Sequence, residues 1–256
     1  MHSIDLVLSL ALTMAIAGGV FLVAGFVKGV VGLGLPTISM GLLSLVMAPA
    51  QAAALVIVPS LVTNVWQIAA RPGLAGLTRR IAPLLVGLCA GVALGTGWLT
   101  GAHAGAVGAA LGFALLLYSA LGLLSVQLHV PPRHEAWTSS LAGVATGLVT
   151  AATGVFVIPS VPYLQALGLE KDELVQALGI SFLVATVALA ASLGHGGALP
   201  TTAIGGSLLA LVPALLGMGA GQRLRSRMHP QRFKKVFLAG LLLLGAGLAL
   251  RGLGAL

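Results

Sequence analysis

Residues Gly25–Pro36 read GFVKGVVGLGLP, one lysine among four glycines with a proline at the end, inside a stretch that is otherwise apolar. Glycine loses more backbone entropy than any other residue, and proline removes a donor and clashes one turn back. The stretch therefore predicts a broken helix. A break surrounded by protein leaves backbone N–H groups and a positive helix N-terminus pointing inward, an arrangement suited to an anion. Lys28 would add a full charge. The competing reading is that Lys28 ends the first helix at a membrane surface, its ammonium snorkelling to water.

The rest of the chain makes the membrane unavoidable. Of 256 residues, 58% are hydrophobic and 7% charged, and the mean hydropathy is +1.09, which leaves too little polar surface to cover a water-soluble globule. Alternating strand patterns are absent, so helices rather than a barrel must satisfy the backbone. Abundant glycine suits helices that pack closely through small side chains. The net charge of +8 comes from clusters between apolar runs (Arg71, Arg79 and Arg80; Arg223, Arg225, Arg227, Arg232, Lys234 and Lys235). These read as cytoplasmic loops with incidental anionic-lipid contact, and exclude nucleic acid as a partner. A single cysteine, Cys89, provides neither a disulfide framework nor a metal site of the usual spacing. The first apolar run lacks a basic leader and exceeds a signal-peptide core, so it reads as a retained helix.

Ten apolar runs can be drawn: 4–27, 30–47, 50–70, 81–99, 104–126, 137–153, 155–167, 174–193, 201–220 and 236–253. Val30–Met47 and Val155–Leu167 are short and interrupted by Pro36, Pro159 and Pro162; hydropathy leaves open whether they cross or are re-entrant. Gly25, Gly32, Pro36 and Ser60 are echoed by Gly147, Gly154, Pro159 and Ser181 at offsets of 121 to 123. At that offset each basic loop corresponds to one without Lys or Arg, so equivalent loops face opposite sides. The expected architecture is an all-α polytopic membrane protein of about ten segments, an inverted repeat of five plus five with broken or re-entrant helices. Residues 1–126 form the first repeat, 127–136 a linker loop and 137–256 the second, with the N-terminus outside and Lys28, Arg133 and Lys171 toward the cytoplasm.

Paired broken segments point to a transporter's binding site. Candidate substrate contacts are Lys28, Gly29, Gly32, Gly34 and Pro36 in the first break, and Thr150, Thr153, Gly154 and Pro159 in the second. The threonines serve equally as helix-to-helix hydrogen-bond donors. In PSLVTNVWQ, Ser60, Thr63, Asn64 and Gln67 share one helical face, which either knits helices together or lines a polar pathway. Pro59 would free a carbonyl there for a ligand or water. Gln176, Ser181 and Thr186 form a thinner counterpart in the eighth run. The carboxylates Glu170, Asp172 and Glu173 read as the start of a helix, and His195 as a loop residue. No HExxH, GxSxG or paired catalytic carboxylates appear, and no nucleotide loop, so neither an enzyme nor a cofactor is expected.

GVVGLGLP after a first helix, the PSLVTNVWQ stripe, TGLVTAATGVFVIPSVPYLQALGLEKDELVQALGISF and the length together resemble the sulfite exporter TauE/SafE family of bacterial membrane permeases. The resemblance implies a carrier of sulfite, sulfonates or related small anions in the cytoplasmic (inner) membrane. This chain shows GLGLP and GVFVIP where the family's richer glycine pattern would stand. The expected function is secondary transport of a small anion (sulfite, organosulfonate or carboxylate) by alternating access, with an anion channel and an intramembrane enzyme as rivals. The lipid bilayer is the other partner; protons carried on the anion are a candidate coupling ion, and a homo-oligomer is left open.

Overall fold

The computed structural model describes residues 2–69, 74–101, 104–124, 129–225, 227 and 230–254. Arg71 and Val126 lie outside them, as do the side chains of Asp5 and Lys171. The described residues form ten α-helices: α1 (His2–Val31), α2 (Leu35–Leu43), α3 (Pro49–Ala69), α4 (Leu74–Leu94), α5 (Ala104–Leu123), α6 (Glu135–Thr153), α7 (Ser160–Ala166), α8 (Lys171–His195), α9 (Thr201–Leu224) and α10 (Pro230–Gly252). Seven are long and apolar enough to cross a membrane: α1, α3, α4, α5, α8, α9 and α10. Their outward faces are greasy, with Val86, Leu94 and Leu243 about three-quarters exposed, as lipid contact requires.

The three remaining helices differ for separate reasons. The short elements α2 and α7, of nine and seven residues, are too short to span alone. The expected run 137–153 is a full-length helix, α6, whose hydropathy is diluted by threonine. Those hydroxyls cost little because they bond back into their own helix: Thr146 donates to Ala142 O and Thr150 to Thr146 O, both at 2.7 Å.

Glycine explains which helices pair. A Cβ added at Gly25 or Gly29 on α1 would collide with the carbonyl oxygen of Ala214 or Met218 on α9, and one at Gly217 or Gly221 would collide with Leu22 O or Phe26 O in return. The same small-xxx-small contact joins α4 to α6, through Gly87 and Gly91 against Gly143 and Gly147. Helix α5 pairs with α10, and α3 packs on α8. Exchanging the first five helices for the last five turns α1–α9 into α6–α4 and leaves α5–α10 and α3–α8 as they are.

The helix ends sort by charge. Arg80 on α4 forms a bidentate pair with Glu135 at the start of α6, at 2.7 and 3.0 Å, and also donates to Leu167 O just past α7. Near the end of α3, Gln67 donates to Val175 O near the start of α8 at 2.7 Å. At the other end of the bundle, Arg251 of α10 donates to Leu45 O beyond α2. Thus α1 runs toward the basic end and α6 away from it.

Several boundaries depart from expectation. Helix α4 begins at Leu74, so Arg79 and Arg80 are helical rather than in a loop; Leu77, Ile81, Leu84 and Leu88 bury one stripe and carry the helix back past them. His195 is the last residue of α8, not a loop residue. The acidic start of α8 is as expected, with Glu170 and Glu173 forming a reciprocal capping box.

Candidate functional site

The first break is narrower than GFVKGVVGLGLP suggests. Helix α1 continues unbroken through Gly25 and Gly29, which are consumed in packing against α9. It ends at Val31, and the chain turns at Gly32 and Gly34, whose φ values of 86° and 112° favour glycine. Gly34 is the N-terminal cap of α2, and Pro36 sits in its first turn.

Lys28 does not snorkel. Its side chain is 2% exposed and crosses to α3, where Nζ donates to Thr63 Oγ1 at 3.0 Å and to Asn64 Oδ1. Both partners are neutral, so the lysine amine stands inside the bundle without a carboxylate bonded to it among the described residues. Bonding to the lysine fixes Asn64 with its oxygen toward Nζ, and its amide Nδ2 is then buried without a partner. Ser60 Oγ, one turn along α3, is likewise buried and unpartnered. Polar groups in this state are costly unless something accepts from them.

Lys28 stands at the closed end of a cavity of about 200 Å³. Gly29, Gln67, Gln176 and Met218 line the buried part; Trp66, Asp172, Gln222 and Arg225 line the exposed part, with Gly32 and Val175 between them. All of these residues belong to the ends of α1, α3, α8 and α9 that meet at the basic face.

Of the residues expected from sequence, Lys28, Gly29, Gly32, Gln67 and Gln176 line this cavity, and Thr63 and Asn64 hold the lysine. Gln67 and Gln176 also knit helices: Gln67 donates to Val175 O and Gln176 to Ile68 O, across the α3–α8 contact. The carbonyl that Pro59 frees, Leu55 O, is taken by the Ser207 hydroxyl of α9 at 2.8 Å rather than by a ligand, and Ser207 accepts from Val58 N in exchange. Ser181 lies about 140° round α8 from Gln176 by helical geometry and is buried without a partner.

The second break runs through Gly154 to Pro159 and does not line the cavity. Thr153 donates to Val149 O and accepts from Val155 N, and Thr150 is bonded within α6. A Cβ added at Gly154 would meet Met40 of α2, so the two broken elements do touch. Sequence reasoning missed Trp66, Asp172, Val175, Met218, Gln222 and Arg225. Only the recurrence of Met218, Gln222 and Arg225 at i, i+4 and i+7 would have put the last three on one face.

A bundle of apolar helices around a buried lysine, with a cavity open at one end, is the build of a multi-pass membrane transport protein of the permease class. The chain belongs to the sulfite exporter TauE/SafE family, whose model matches residues 17–248. No curated protein and no solved structure matches it.

Proposed function

We propose that the chain is a secondary transporter that moves a small anion (sulfite, an organosulfonate or a carboxylate) across the bacterial cytoplasmic membrane by alternating access. The observation that carries this reading is Lys28, a buried cation held by two neutral side chains at the closed end of a cavity. An uncompensated buried charge costs several kcal/mol, and an arriving anion would offset that cost. The neighbouring free groups, Asn64 Nδ2 and the Ser60 hydroxyl, can both donate, which suits an oxyanion. At about 200 Å³ the cavity falls below the roughly 300–1,000 Å³ of sites for drug-sized ligands, so the solute is small. Family membership supports the same cargo class.

We read α1–α5 and α6–α10 as an inverted repeat, residues 1–126 and 137–256 joined by 127–136. The exchange of helix partners and the opposite courses of α1 and α6 support it. With the basic end cytoplasmic, the cavity faces the cytoplasm. In the opposite state the break at Gly154–Pro159, with Thr150, Thr153 and Ser181, would take its turn at lining the route. Protons travelling on the anion are the proposed coupling ion.

Counterflow in proteoliposomes tests this. Saturable uptake of labelled sulfite, accelerated by unlabelled sulfite, a sulfonate or a carboxylate inside, is the expected outcome. Flux that rises linearly with concentration would make the protein a channel, and no flux of any of the three anions would end the reading.

A further inference from the structure

Arg225 carries one of the charges that mark the basic face, yet its side chain lines the same cavity as Lys28. We infer that Arg225 is the capture residue of this permease, an exposed guanidinium at the cavity mouth that draws the anion from the cytoplasm before Lys28 receives it. The inference rests on the anion-transport reading above and adds a residue that sets how readily the anion reaches the site.

Its position is built in. The backbone N–H of Arg225 donates to Gly221 O at 2.9 Å, and Gly221 is pressed so closely on Phe26 of α1 that no Cβ fits. The last turn of α9 is therefore held against the turn of α1 that carries Lys28. Met218, Gln222 and Arg225 follow one another along the cavity wall from that contact to the exposed mouth. Arg223 and Arg227, the neighbouring cations, are absent from the lining.

Charge gives the position a consequence. The lining holds two cations, Lys28 and Arg225, against one carboxylate, Asp172. Without Arg225 the only charged group left in the exposed part of the lining is the carboxylate of Asp172, which disfavours an incoming anion. An exposed arginine offers a planar fork of donors to an oxyanion and is weakly hydrated, so it can bind and release quickly. Lys28, buried and bonded to Thr63 and Asn64, is the deeper and more selective contact. Arg225 thus sets how readily the anion reaches the site, and Lys28 holds it there.

The test uses everted membrane vesicles, whose cytoplasmic face points outward, and initial rates of sulfite uptake normalised to inserted protein. At about 20 mM salt, Arg225→Gln is expected to raise KM roughly fivefold with kcat within about twofold, and the gap should close near 0.5 M salt as the charge is screened. Arg227→Gln should leave KM near the wild-type value, and Gln222→Glu, which adds a carboxylate at the mouth, should raise it. An unchanged KM in Arg225→Gln or in Gln222→Glu, an equal rise in Arg227→Gln, or a fall in kcat alone would overturn the inference while leaving transport intact. A wild-type protein that takes up no sulfite would remove the transport reading, and this inference with it.

Discussion

Lys28 on α1 and Thr63 on α3 are joined by a 3.0 Å hydrogen bond between two side chains that water scarcely reaches, 2% and 0% exposed. Thr63 in turn donates to Pro59 O at 2.6 Å, so its hydroxyl is oriented to accept from the lysine. The same helix face thus positions the lysine amine and offers it no carboxylate. Function and stability pull in different directions there, and variants can separate them.

Replacing Lys28 with methionine keeps an unbranched side chain, one atom shorter, and removes the amine. The exchange relieves the desolvation of a buried amine while leaving Asn64 Oδ1 without its donor, two effects of opposite sign. Lys28→Met should therefore melt near the wild-type temperature while its sulfite uptake falls at least tenfold. An uptake equal to wild type at equal abundance would reduce the lysine to a structural bridge.

Asn64→Asp places a carboxylate where Lys28 already donates. The internal pair should satisfy the lysine and compete with any external anion. Calorimetry of the variant should show stability equal to or above wild type with sulfite binding weakened at least tenfold. Asn64→Leu should fold and lose transport; loss of the folded protein instead would mark Asn64 as a packing residue.

Ser207 repairs the gap that Pro59 opens in α3, accepting from Val58 N and donating to Leu55 O. Ser207→Ala removes both bonds from these part-buried backbone groups and should cost about 1 kcal/mol. A lower melting temperature with unchanged uptake per folded molecule is expected, because Ser207 lies outside the cavity lining.

Gly147 and Gly108 are both helical glycines, but only the first has a neighbour's backbone where its Cβ would go. Gly147→Ala must push α6 off Leu88 and Val92 of α4 and should cost about 1–3 kcal/mol. Gly108→Ala meets open space and should change stability by less than about 1 kcal/mol. Thermal unfolding in detergent compares them directly.

Much of this was legible in the chain. Hydropathy alone located the long helices, and the proline and glycine interruptions located both breaks, because those residues act locally. The polar stripe from Ser60 to Gln67 was visible as a periodicity, and its burial follows from the bilayer. What could not be read was how tightly α1 and α9 approach: Gly25 and Gly29 look alike whether they unwind a helix or let a neighbour in. That contact brings Gln222 and Arg225 to the site, so a residue that counts as a topology signal in sequence becomes part of the cavity. The fate of the Leu55 carbonyl was equally hidden, since Ser207 lies 152 residues away.

The central claim is that Lys28 binds the transported anion, and a thermal-shift titration of purified protein with sulfite addresses it directly. A solute that binds only the folded form raises the melting temperature with dose, the stabilisation reaching about 2.7 kcal/mol at a hundred times its dissociation constant. The wild-type protein should show that rise and Lys28→Met, equally well folded, should not. An identical rise in both would place the anion elsewhere and contradict the account.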